Sequence, residues 1–300
     1  MSQPGPSWDL VADVQLLLQF HFMHNAFGAA TLVALLAGAA GYFVVLRGQS
    51  FAAHMLSQVG FPGAAGAVLV HVAPVFGLIV FCVVAALGIG WVGRTVDAGH
   101  RAESAAVASI LAFSLGLGLL FFRLYAGSAA GIYSFLFGTI LGISDRDVQL
   151  TFVVALLGVA ALAIFGRQLV FATVDPDVAE ARGVRVRRIS IAFLVVLALA
   201  VAITVQIVGT LLIFALLVAP AASALQLTAR PARALALSIV LSLAFTWLGL
   251  ALAYFSNLPV GFFITSLAFA VYVAIRAVKG ALALRTGKQH IRRAWSAAKA

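Results

Sequence analysis

The chain alternates long apolar runs with brief polar punctuation, and the runs lack the polar face of an ordinary soluble helix. A helix needs about 20 apolar residues to cross the hydrocarbon of a bilayer. Eight runs come to about that length: residues 26–46, 72–92, 104–122, 148–165, 189–207, 209–227, 235–255 and 260–278. Two further pieces are ambiguous. Residues 50–70 are long enough but are interrupted by Gly60, Pro62 and Gly63, while 131–143 are about half a span. Interrupted and half-length helices are typical of segments that line a pathway. The pattern predicts an all-α polytopic membrane bundle of about nine spans (eight to ten), with one short re-entrant or half-length helix.

Composition agrees, with 64% hydrophobic residues and only 9% charged. The net charge of +10 comes from 19 Lys and Arg against 9 Asp and Glu. In a soluble chain this excess would suggest nucleic acid, but here the basic residues sit in short loops and a tail between apolar runs. Such a distribution is a topology signal. If 50–70 crosses and 131–143 only dips in from outside, 17 basic residues fall on the cytoplasmic side and 2 outside, Arg123 and Arg146. That gives nine spans with the N-terminus outside. If the short piece crosses fully, the division is 15 to 4 with ten spans, and either way the C-terminus is cytoplasmic. The expected organisation is an N-terminal segment 1–25 without the basic start of a cleavable leader, a membrane domain 26–278 with a cytoplasmic loop at 167–188, and a basic tail 279–300. Glycine pairs Gly38 and Gly41, Gly63 and Gly66, Gly116 and Gly118, and Gly138 and Gly142 mark helix faces where backbones can approach closely.

Several function classes are excluded by what the runs lack. All nine acidic residues lie outside the eight spans, so no midplane carboxylate is present for proton or sodium coupling. No GxxxxGK[ST] phosphate loop occurs, so the energy for active transport has to come from another subunit. The string Gly88 to Gly93 fits GxGxxG but closes a membrane helix, without the strand that would place a dinucleotide. A lone cysteine, Cys82, cannot form an internal disulfide or a cysteine metal cluster. Among six histidines only His54 lies within an apolar stretch and has no catalytic partner there, so an enzyme is not expected.

The loop segment TVDPDVAEARG at 173–183 carries a full set of helix signals. Asp175 suits an N-cap, Pro176 the first helical position, Asp177 and Glu180 the positive end of the dipole, and Gly183 a left-handed stop. Ala179 and Ala181 give it small faces. An isolated helix of about two turns is marginal in water, so a surface has to hold it. That surface is either a cytoplasmic partner or lipid headgroups.

Three segments together resemble the permease subunits of manganese, zinc and iron ABC importers, the metal-type ABC permease family. The first is Phe43-Val44-Val45-Leu46-Arg47 with Ser50, Phe51 and Leu56-Ser57-Gln58-Val59-Gly60-Phe61-Pro62-Gly63. The second joins Leu136-Phe137-Gly138-Thr139-Ile140-Leu141-Gly142-Ile143-Ser144 to Asp175-Pro176-Asp177, Ala179 and Gly183. The third runs from Val208-Gly209-Thr210-Leu211-Leu212 through Ala219-Pro220-Ala221-Ala222 to Leu258-Pro259-Val260-Gly261. The resemblance implies a homodimeric permease, an ABC ATPase subunit docked on each 175–183 coupling helix, and an extracytoplasmic metal-binding protein. It places the protein in a bacterial inner membrane, with a divalent metal ion as cargo and no cofactor bound by this chain.

The resemblance also nominates pathway residues: His54, Ser57, Gln58, Pro62, Thr210, Pro220 and Asn257, with His54 as the metal ligand. Here the sequence departs from the family, in which Asp and His stand four residues apart in the second span; His54 and Gln58 occupy those places. Asn257 likewise replaces an Asp. An amide is a poor transition-metal ligand, so the cation site is weaker. Two readings stay open, a transient path for a bare divalent ion and a permease for a metal chelate or other small solute. His54 is alternatively a packing residue bonded to a neighbouring carbonyl. A scaffold or sensor subunit that tethers a partner without transporting is the alternative of another class.

Overall fold

The computed structural model describes residues 21–92, 99–124, 142–256 and 258–297. Among these the chain forms ten helices: α1 (His21–Leu46), α2 (Ser50–Leu69), α3 (Pro74–Val92), α4 (Gly99–Leu124), α5 (Asp145–Val174), α6 (Pro176–Ala181), α7 (Val186–Val208), α8 (Thr210–Leu227), α9 (Pro231–Ser256) and α10 (Val260–Ala297). Seven of them are long and apolar enough to cross a membrane: α1, α3, α4, α5, α7, α9 and α10, the last over its first 22 residues. Helix α8 holds a shorter apolar core, Leu212–Leu227. The expected half-length helix at 131–143 lies outside the described residues except for its last two positions, as do most of the 1–25 segment and Asn257.

The bundle is organised around α1 and α7, in which 72% of the apolar window is buried, against 11% in α10 and 17% in α4. Helix α1 reads Ala-rich on every face, and Ala29, Ala30, Val33, Ala37 and Ala40 are fully buried. Small side chains let its neighbours close in, which is how helices associate where lipid removes the hydrophobic drive. At Gly41 the backbone of α1 meets the Leu217 carbonyl of α8 with no room for a Cβ, and at Gly38 a Cβ would lie 2.8 Å from the Ile239 Cα of α9. Ser238 then donates a 2.7 Å hydrogen bond to the Gly38 carbonyl. Gly63 of α2 and Gly77 of α3 make the same backbone-to-backbone approach. Large exposed apolar side chains cover the outer helices, Phe113, Leu119, Ile164 and Phe269 among them, as suits a hydrocarbon surround.

Three expectations change. The 50–70 piece is one continuous helix rather than a broken one, with Pro62 inside it. Proline removes a single ladder bond, and the close fit of Gly63 on α3 holds the turns on either side. Helix α5 extends beyond the apolar run 148–165 in both directions. Its start is fixed by a capping box in which Ser144 and Asp147 exchange side-chain and backbone bonds, and it runs on through Arg167 and Gln168 to Val174. Helix α10 passes the expected boundary at 278 and carries the basic tail as far as Ala297, because Ala, Leu, Lys, Arg and Gln are strong helix formers.

Candidate functional site

Helix α2 packs against α3, α4, α7 and α8, and its apolar sequence is broken on one side by His54 and Gln58. One turn apart, these two share a face, and both are half-buried. The His54 imidazole meets the Phe214 ring of α8 edge-on, with centroids 5.1 Å apart and planes at 74°. Its Nδ1 is buried and bonds to no carbonyl or other partner. Ser57 is fully buried, and its hydroxyl donates to the His54 carbonyl at 2.6 Å, the local back-bond common for serine in a helix. Pro62 is buried and has no N–H to offer the carbonyl four residues earlier, so the Gln58 main-chain oxygen loses its ladder donor.

The facing element is α8. Gly209 precedes it with φ 90° and ψ 159°, a backbone region that essentially only glycine enters. This sharp entry brings Thr210 into the interior as the first residue of the helix. Thr210 is 1% exposed, yet its Oγ1 has no hydrogen-bond partner. The His54–Phe214 contact defines an α2–α8 seam, and Thr210 stands one turn before Phe214 on the same face of α8. Two orphaned polar atoms, one on each helix, thus stand at that contact or one turn from it. A buried polar atom left unpaired costs about 1–3 kcal/mol. Pro220 lies buried farther along α8, which runs on unbroken to Leu227. Among the described residues no three His, Cys, Asp or Glu side chains gather closely enough to hold a metal ion.

The second feature is α6, a six-residue helix between α5 and α7. Its caps are those the sequence predicts. The Val178 N–H donates to Asp175 Oδ1 at 3.0 Å, and Pro176 occupies the first turn. At the other end Gly183 adopts φ +81°, the Gly183 N–H donates to the Glu180 carbonyl at 2.9 Å and the Val184 N–H to the Ala179 carbonyl at 3.0 Å. This paired 5→2 and 6→1 pattern closes the helix. Ala179 is 0% exposed and anchors the element to α5 and α7, while Asp175, Pro176, Asp177, Val178, Glu180 and Gly183 are all exposed. The result is a short knob, capped at both ends, with every residue but Ala179 exposed.

Sequence reasoning missed Phe214, which lies 160 positions from His54. It also missed a polar cluster at the start of α5, where Gln206 of α7 donates to Asp147 Oδ1 at 2.8 Å and Asn25 of α1 donates to Asp145 Oδ1 at 2.7 Å. The Gln206 Oε1 is buried without a partner. A lone amide near the end of an apolar run, and the Ser144-x-x-Asp147 spacing, were the available signals.

A multi-pass helical membrane protein with these elements is a known class. Residues 19–279 match the model of the ABC 3 transport family (ABC-3), and the chain belongs to that family. It is similar to the manganese transport system membrane protein MntC of Listeria innocua, at 31% identity over 82% of this chain and 86% of that protein. It is also similar to the manganese import system permease protein ScaB of Streptococcus gordonii, at 31% identity over 83% and 88%. Of solved structures, PsaBC from Streptococcus pneumoniae in complex with Fab superposes with a TM-score of 0.78 at 29% identity, covering 89% of this chain and 95% of that one.

Proposed function

We propose that the chain is the permease subunit of an ATP-driven bacterial importer that brings manganese across the plasma membrane. In this reading it works as a homodimer with nine spans per copy and a cytoplasmic C-terminus. An ABC ATPase grips each α6 knob, and a binding protein delivers the ion from outside. The observation that carries the reading is the α2–α8 seam, where a buried imidazole nitrogen and a buried hydroxyl are kept without partners. Their desolvation is offset when a cation passes between them.

The chemistry of the seam favours manganese over zinc. Besides His54 it offers oxygens, namely the Thr210 hydroxyl, the undonated Gln58 carbonyl and the Gln58 amide. Carbonyl and water oxygens suit manganese, whereas zinc prefers thiolate and imidazole. Few fixed ligands also suit a conduit, because tight binding slows release. The resemblance of the whole membrane domain to proteins named for manganese transport points the same way. Asn257 and Pro220 belong to the same proposed route, Pro220 by freeing the Leu216 carbonyl.

The test is reconstitution of the chain with its ATPase and binding protein in liposomes, with manganese, zinc and iron compared. Uptake should require ATP and should be highest for manganese, and His54→Ala should lower it at least tenfold. Ion movement by the chain alone, or ATP hydrolysis indifferent to the binding protein, would refute the proposal.

A further inference from the structure

Arg47 follows α1, and its guanidinium fans out to three separate elements. Its Nε donates to Gln49 Oε1 at 3.2 Å, in the turn that leads into α2. One terminal nitrogen donates to Thr173 Oγ1 at 3.1 Å, in the last turn of α5. The other donates to Ser190 Oγ at 2.7 Å, near the start of α7. The guanidinium carbon also lies 5.8 Å from the Phe193 ring centroid of α7, and Phe193 packs edge-on to Phe43 of α1. Thr173 spends its own proton on the Leu169 carbonyl at 2.6 Å, so its lone pairs are left for the arginine.

The placement matters because Thr173 and Ser190 flank the knob. Thr173 stands two residues before the Asp175 cap, and Ser190 stands in α7, the helix the chain enters after Gly183. On the other side of the guanidinium, α2 begins at Ser50, and His54 follows within about 6 Å of helix rise. One planar, fixed-charge group therefore ties both roots of the knob to the turn that carries the His54 helix. A guanidinium suits this role because its donors diverge in a rigid fork, where an ammonium is a single point on a flexible stem.

We propose that Arg47 is the positioning residue that transmits displacement of the knob to α2 and so to the His54 seam; this rests on the permease reading above. Pushing α6 moves the ends of α5 and α7 together, and Arg47 carries that movement across to the α1–α2 turn. Substrate is not touched. Losing Arg47 should therefore uncouple the two ends of the machine rather than stop either one.

The experiment uses the full complex in proteoliposomes, with manganese as the probe, and reads manganese moved per ATP hydrolysed alongside each rate. In Arg47→Met the ratio should fall tenfold or more while hydrolysis continues and the complex stays assembled by size-exclusion chromatography. Arg47→Lys should fall between, since it reaches one hydroxyl but not both. The pair Thr173→Val with Ser190→Ala keeps the cation and its bond to Gln49 but removes the two hydroxyl acceptors at the roots of the knob; it should reproduce the drop, and it serves as the deciding variant if Arg47→Met does not assemble. A ratio equal to wild type, or hydrolysis and uptake falling in step, would overturn the linkage while leaving the permease reading intact. Wild-type complex that moves no manganese would overturn the permease reading, and the linkage with it.

Discussion

The knob can be weakened without touching the membrane core, and its two caps set the scale. Asp175→Ala removes the side-chain acceptor of the Val178 N–H, and loss of an N-cap costs about 1 kcal/mol. Gly183→Val forces a β-branched residue to φ +81°, at roughly 2 kcal/mol for the left-handed conformation. The two sites are at opposite ends of a six-residue helix and act on one opening equilibrium. Together, about 3 kcal/mol raises the open population on the order of a hundredfold. Amide hydrogen exchange of the purified protein in nanodiscs reads this directly. Exchange at Val178, Arg182 and Val184 should accelerate by about that factor in the double variant and by roughly fivefold in Asp175→Ala alone. Exchange in α1 and α7 should not change. Equal protection of the knob in wild type and double variant would refute the capping argument, and faster exchange throughout the bundle would refute the claim that α6 opens as a separate unit.

Three further outcomes follow from the packing and the seam. Gly41→Leu places a side chain into the Leu217 backbone, so folded yield should collapse, whereas Gly116→Leu, whose Cβ meets nothing within 4 Å, should leave yield near wild type; fluorescence-detected size-exclusion chromatography separates the two. Gln58→Glu adds a carboxylate one turn from His54 and should tighten manganese binding while slowing release, so the metal's affinity rises in calorimetry as turnover falls; a change of both in the same helpful direction would contradict a transit site. Asp147→Asn weakens the bond to Gln206 and the Ser144 capping box, costing about 1–2 kcal/mol. It should lower the thermal midpoint, and prior Gln206→Leu should reduce that effect in a double-variant cycle.

The parts of the molecule legible in the sequence are those determined locally. Caps act over four residues, so Asp175, Pro176 and Gly183 announce α6 completely. Small-residue spacing marked Gly38 and Gly41 as contact positions, but nothing local names Leu217 and Ile239 as their partners. The same limit applies to His54: its type and depth in an apolar run made it a candidate, while Phe214 and the orphaned Thr210 hydroxyl exist only once α2 and α8 are packed. Hydropathy measures how far a greasy surface extends, not how far a helix continues, which is why α5 and α10 outrun their apolar stretches. Pro62 was read as a break because a proline deletes a bond, yet one bond lost from a 20-residue helix is less than its packing supplies.

The uneven spacing of the helices divides the bundle mechanically. Where glycine lets main chains touch, as α1 does with α8 and α9 and α2 does with α3, neither member can slide without atoms colliding, so each set behaves as a weld. The α2–α8 boundary is different, since an imidazole and a phenyl ring keep the two apart, and side chains can rotate away where carbonyls cannot. Shear is therefore easier at that boundary than within either welded block. Parting at that boundary uncovers the His54 imidazole nitrogen, which has no partner while the two helices are closed together.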